Sequence, residues 1–300
     1  MNSFVRYQLK NINGLLDRWM TKRAREVQIP AHIEIQEDIP YLDDKEPCHR
    51  MDIYRPVSCA APLPVIVNLH GGGMLLCTKA VNRPFCAELA KRGFLVFCVE
   101  YPLVPDSDIP GILRDVARGM DKVADLLESY GGDPERVYLV GDSAGAFISV
   151  YEAAAQKNRA LSAAVPLRPS RLKIQALGLI SGMYYTTLAD STGYYLRKDF
   201  YGKKWRRHPM APYYKPHKPE VAGSLPPCYL ITSQSDHLHS YTTRFYRGLC
   251  RAGTECELLD HSLLKNLQHD FVIVKPESRA SQRAIDKMCE FLLKYKASPV

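Results

Sequence analysis

The chain has 300 residues, 46% hydrophobic and 24% charged, the balance of a folding globular protein and not of a disordered or collagen-like one. That length allows one elaborated α/β domain or two small ones. The net charge of +8 is carried by Lys and Arg dispersed over many segments, so no basic stripe marks nucleic acid as a partner.

Residues 1 to about 45 open with Leu9, Ile12, Leu15, Leu16, Trp19 and Met20 on one helical face, with Arg and Lys around it. Such a segment reads as a cap laid across a site or, alternatively, as a basic amphipathic helix resting on a membrane surface. From about residue 46 short apolar runs alternate with longer amphipathic stretches, which predicts a mostly parallel sheet flanked by helices. The strand candidates are 64–69, 94–99, 137–140, 174–180 and 228–232, with 256–259 as a weaker last one. Helix periodicity covers 82–92, 109–130, 144–156, 240–251 and 277–295, and Gly131-Gly132 and Gly253 stand where helices would stop. Residues 183–225 break the alternation and are rich in Tyr, Pro, Lys and Arg. A loop of that length without structure is uncommon, so this segment is expected to be partly helical or functional. The expected organisation is a cap segment over 1–45, an α/β core over 46–182 and 226–300, and a cap insertion over 183–225.

The nine cysteines are an odd number with no C-x-x-C pair, so they suggest neither a disulfide framework nor a zinc site and point to a reducing compartment. Arg6 and Lys10 interrupt the apolar run that a signal peptide would need, and no apolar stretch is long enough to span a bilayer. A cytoplasmic location with no integral membrane segment is expected.

Two motifs carry chemistry. Gly141-Asp-Ser-Ala-Gly145 matches the G-x-S-x-G nucleophile elbow and lies between a strand candidate and a helix candidate, the context that the motif requires. His70-Gly-Gly-Gly73 follows strand 64–69 directly, where glycines let backbone N–H groups approach a nucleophile. With nine His and 18 Gly in 300 residues, H-G-G-G seldom arises by chance, and the joint occurrence is the specific signal.

This pair, in this order, resembles the hormone-sensitive-lipase-like branch of the α/β-hydrolase esterases. Glu100-Tyr-Pro-Leu-Val-Pro-Asp106 is similar to that branch's Y-R-L-A-P-E segment, Asp236-His-Leu238 to its D-x-L and His269-Asp-Phe271 to its H-x-F. The resemblance covers about 46–182 and 226–300 and implies an α/β-hydrolase fold with Ser143, Asp236 and His269 as a catalytic triad. The chain departs from the pattern at Ala146, where the family has a second Gly, and at Ser240 and Tyr241, where it has acidic residues. On chain order alone, with the acid after a late strand and the His after the last one, His261, His237 and His239 remain rivals for the base. The H-x-F motif selects His269.

The roles implied are Ser143 as nucleophile, His269 as general base, Asp236 as its orienting acid, and the backbone N–H groups of Gly71, Gly72 and Ala144 as the oxyanion hole. His70 is expected to stabilise its loop. The expected activity is hydrolysis of short to medium acyl esters, with acyl transfer, amide cleavage or a ligand-binding module on the same scaffold as alternatives. No metal or organic cofactor is implied, since no H-E-x-x-H, P-loop or G-x-G-x-x-G occurs and the His237/His239 pair reads as incidental. The expected partner is a small-molecule ester, and a homodimer is left open.

Overall fold

The computed structural model describes residues 14–15, 18–58, 62–261 and 266–297, without the side chains of residues 191, 192 and 195. Eight strands form one sheet: β1 (Ile33–Pro40), β2 (Arg50–Pro56), β3 (Leu63–Leu69), β4 (Leu95–Val99), β5 (Gly132–Asp142), β6 (Ile174–Ile180), β7 (Cys228–Ser233) and β8 (Cys256–His261). Their spatial order is β1-β2-β4-β3-β5-β6-β7-β8. From β4 to β8 all neighbours run parallel, whereas β1 with β2 and β2 with β4 pair antiparallel.

Strands inside such a sheet are covered on both faces and have no polar side to present, hence their near-continuous apolar composition. All of Leu95–Val99 is buried, and along β3 only Pro64 is partly exposed. On β3 the pleat sends Val65 and Val67 to one core and Ile66 to the other. The helices are α1 at 18–26, α2 (Arg83–Lys91), α3 (Ile109–Leu126), α4 (Ala144–Lys157), α5 (Arg159–Ala164), α6 (Ser191–Tyr201), α7 (Pro219–Ala222), α8 (His239–Ala252), α9 (Phe271–Val274) and α10 (Arg279–Leu292). Phe85 and Leu89 of α2 join Ile285 and Met288 of α10 in the core on one face. On the other, Ile112 and Val116 of α3 pack with Phe147 of α4 and Phe245 of α8. Helix starts are fixed by side chains that accept from otherwise unbonded N–H groups, as Asp108 does from Gly111 N at 2.8 Å and Ser278 from Ser281 N at 3.2 Å. Helix α8 stops at Gly253, whose φ of 73° suits a residue without a side chain.

Strands β1 and β2 are absent from the sequence-based expectation. Only Ile33 of β1 is fully buried, and its charged Glu34, Glu37 and Asp38 suit an edge strand, which carries no apolar run to recognise. Strand β1 thus takes residues 33–40 of the segment 1–45 into the sheet. The 183–225 segment is partly helical, holding α6, α7 and two 3₁₀ turns at Trp205–Arg207 and Ala211–Tyr213. Tyr184, Tyr185 and Tyr201 are buried there, and Tyr201 packs on Tyr214 with ring centroids 4.3 Å apart. Leu9, Ile12, Leu16 and the ring of Tyr195 lie outside the described residues. Among the described residues no helix is long and apolar enough to cross a membrane.

Candidate active site

Ser143 stands between the end of β5 and the start of α4 with φ 49° and ψ −111°, a conformation that L residues rarely adopt. The turn survives because the residues two before and two after Ser143 are glycines. A Cβ on Gly141 would sit 2.4 Å from the backbone of Gly145, and one on Gly145 only 1.9 Å from the carbonyl oxygen of Leu69. The Ser143 N–H donates to Ile180 O at 2.8 Å, and Ser143 O accepts from Met183 N at 2.9 Å, so the turn is pinned to the neighbouring β6 end.

The loop after β3 approaches from the other side. A Cβ on Gly71 would lie 2.3 Å from Asp142 Oδ2 and 3.1 Å from Ser143 Cβ, so only glycine lets this backbone come so close to Ser143. Gly72 has φ 103°, and a side chain there would meet Leu76 O at 2.0 Å. Ala144 opens α4, so its N–H is one of the first-turn donors with no partner inside the helix. His70 is fully buried, with Nε2 2.7 Å from Glu100 Oε1, Nδ1 2.8 Å from Gly71 O and its ring stacked on Tyr101 at 4.2 Å. Burial opposes its charged form, but the Glu100 carboxylate outweighs this and raises its pKa. Both its nitrogens thus hold the loop.

Asp236 follows β7 and His269 precedes α9, and the two meet Ser143 at the strand ends. His269 Nδ1 lies 2.8 Å from Asp236 Oδ1, and His269 Nε2 lies 3.0 Å from Ser143 Oγ. A carboxylate only accepts, so Nδ1 donates to Asp236, and Nε2 accepts from the Ser143 hydroxyl once it has lost its own proton. Asp236 is buried and also accepts from Leu238 N at 2.8 Å. Burial alone would raise its pKa, but the hydrogen bond and charge of His269 bring it below the ordinary value. His239 Nε2 pairs with Asp260 at 2.9 Å, His261 packs edge-on against Phe271, and the exposed His237 lies beside His269 with ring centroids 4.4 Å apart.

A second carboxylate reaches the same imidazole, with Asp270 Oδ2 3.1 Å from His269 Nε2. Burial disfavours a charged His269, but Asp270 and Asp236 together push its pKa up to about 10. Asp142 is fully buried, accepts from Asn82 Nδ2 at 2.7 Å and is pushed up to about 7 by burial and then by Asp270. Asp142 and Asp270 are the variable letters of G-x-S-x-G and H-x-F, so their positions were on view in the motifs while their roles were not. Asn82 carried no signal at all. Asp236, His237 and His269 bring ligand-type atoms within 4.8 Å of one another, but a metal there would have to break the 2.8 Å bond between His269 and Asp236.

Ser143 and His269 open into a cavity of about 550 Å³ whose apolar lining includes Trp19, Met20, Leu75, Leu76, Met183 and Leu196. A separate groove of about 670 Å³ runs past Arg18, Lys22, Arg25 and Lys79 and contains none of Ser143, Asp236 and His269. From the 183–225 segment, Met183 and Leu196 line the cavity, and among the described residues none of its Tyr or Trp rings does.

The family model described as the alpha/beta hydrolase fold matches residues 66–273. A probable isoprenylcysteine alpha-carbonyl methylesterase of Oryza sativa subsp. japonica is 30% identical over 264 residues, which is 82% of this chain and 60% of that protein. One of the same description from Arabidopsis thaliana is 34% identical over 115 residues, 38% of this chain and 24% of that one. The chain thus spans from 24% to 60% of the length of these curated relatives. Among solved structures, the phosphonate-inhibited esterase B from Lactobacillus rhamnosis superposes with a TM-score of 0.88 at 18% identity, covering 98% of this chain and 96% of that one. With the family matched over more than half of its length and the sheet order above, the chain belongs to the α/β hydrolase fold family.

Proposed function

We propose that this protein is a serine carboxylic-ester hydrolase acting on short to medium acyl esters. The observation that carries the reading is the line from Ser143 Oγ through His269 to Asp236, at 3.0 and 2.8 Å, opening on an apolar cavity. In the first half-reaction His269 Nε2 takes the Ser143 proton as Oγ bonds to the acyl carbon. The negative oxygen that forms is met by the N–H groups of Gly71, Gly72 and Ala144. The bond to the alkoxy oxygen then breaks, the proton passes from Nε2 to that oxygen and the alcohol leaves. Water repeats the sequence on the acyl-enzyme, releasing the acid and restoring Ser143. Asp236 keeps Nδ1 protonated and stabilises the imidazolium.

The acyl chain occupies the apolar side of the cavity, and α1 and α6 act as its cap, a reading supported by Trp19, Met20 and Leu196 among the lining residues. The names of the relatives, methylesterase and esterase, agree with ester chemistry. An active-site phosphonate and a panel of chromogenic esters that differ only in acyl length test the proposal. Ser143 should take the label and short to medium chains should turn over. Labelling at another residue, or full activity in Ser143→Ala, overturns it.

A further inference from the structure

Asp270 takes no part in the steps above, yet it stands at their centre. Its backbone is left-handed with φ 53°, a region that Asp enters more readily than most L residues. Its Oδ2 lies 3.1 Å from His269 Nε2, the atom that is 3.0 Å from Ser143 Oγ. Its Oδ1 is buried with no hydrogen-bond partner among the described residues. The side chain lines the same cavity as Ser143. A buried carboxylate oxygen with no donor is costly, so its retention here asks for a donor that arrives with the ligand.

We propose that Asp270 reads the alcohol half of the ester, so that the site takes esters of polyols, sugars or amino alcohols in which a hydroxyl or ammonium is borne on the carbon next to the ester-bearing carbon. This rests on the ester-hydrolase reading and names its substrate class. To collect the proton, the leaving oxygen must come within hydrogen-bond reach of His269 Nε2. Asp270 Oδ2 already occupies that range, so the leaving oxygen and the Asp270 carboxylate become neighbours. A donor one carbon along the alcohol then reaches the carboxylate. Its hydrogen bond to Oδ1 draws the carboxylate charge away from Oδ2 and loosens the hold on Nε2–H, so the imidazolium proton is free to move to the leaving oxygen as the acyl carbon–oxygen bond breaks. A plain alkyl alcohol brings no donor and leaves Asp270 competing for that proton.

The test compares kcat/KM for propyl acetate, 2-hydroxyethyl acetate and protonated 2-(dimethylamino)ethyl acetate in the wild type, Asp270→Gly and Asp270→Asn. Glycine is at ease at this φ and asparagine keeps the shape without the charge, and stoichiometric phosphonate labelling of Ser143 verifies that each variant keeps its site. A hydrogen bond to a charged acceptor predicts at least about a tenfold preference for a donor-bearing ester in the wild type, falling to within about threefold in Asp270→Gly, with Asp270→Asn between them. Preference for the hydroxyl ester alone assigns polyols, and for the ammonium ester alone amino alcohols. Equal turnover of all three by the wild type, or a preference that persists in both variants, overturns the role of Asp270 and leaves the hydrolase reading standing. Turnover of none of them, or full activity in Ser143→Ala, defeats the hydrolase reading itself.

Discussion

In the floor of the cavity, the turn at Ser143 leaves no room for a side chain at Gly141 or Gly145, and the facing loop leaves none at Gly71. Across the cavity, Trp19 of α1 and Leu196 of α6 contribute apolar contact that many side chains of similar size could supply. The first region is governed by hard-core overlap, with backbone at Gly141 and Gly145 and with the Asp142 carboxylate at Gly71. The second is governed by area and volume, where identity is exchangeable and only the sum matters. Substitutions in the floor should therefore lower kcat steeply, and substitutions across the cavity should retune its selectivity.

The largest expected effect comes from the reacting groups. Replacing Ser143 or His269 by Ala should lower kcat by about 10⁶-fold, and replacing Asp236 by Asn or Ala by about 10⁴-fold, read from steady-state hydrolysis of a chromogenic ester. Next comes the floor itself. Gly71→Ala drives a methyl group toward Asp142 and Ser143 and displaces a proposed oxyanion donor, for which a loss of about 10² to 10³-fold in kcat is expected with the thermal midpoint largely kept. A near-normal kcat in that variant would erase the contrast between the two regions.

The pH profile sharpens the comparison from the floor side. The base works as neutral imidazole, and Asp270 and Asp236 overcome burial to hold its proton, pushing the His269 pKa up to about 10. Falling pH protonates the base and removes activity, so the acid limb of kcat/KM should have its midpoint above the ordinary His value of about 6.5. Asp270→Asn removes one of the two charges and should move that midpoint down, as initial rates across neutral and alkaline buffers will show.

Smaller effects are expected across the cavity. Trp19 is 58% exposed while lining the cavity, so Trp19→Ala should change stability by no more than about 0.5 kcal/mol in urea titration but shift chain-length preference across the ester panel a few-fold. Phe200, on the same α6 as Leu196, is fully buried, and Phe200→Ala should cost about 3–5 kcal/mol of stability. Unchanged kinetics on every ester in both Trp19→Ala and Leu196→Ala would remove α1 and α6 from the acyl site.

The sequence by itself determined the features that rest on local chemistry: apolar runs for the doubly covered strands, amphipathic periods for α2, α3, α8 and α10, an apolar helical run for the buried α4, and glycines where a turn or close approach excludes a Cβ. His70-Gly-Gly-Gly73 and Gly141–Gly145 were legible because sterics restrict those positions to few residue types. Only the tertiary structure decided what depends on partners distant in sequence. Strands β1 and β2 were missed because an edge position needs no apolar run, and the pairing of Ile33–Pro40 with Arg50–Pro56 is set by the sheet they join. Chain order left four histidines open for the base, and a 126-residue separation between Ser143 and His269 closes to 3.0 Å only when β5 and the loop after β8 end on the same rim. Asp270 is the sharpest case. Nothing about an Asp in H-x-F declares its target, since the left-handed turn that swings its carboxylate back to Nε2 is a property of the folded loop, held by the neighbours that surround it.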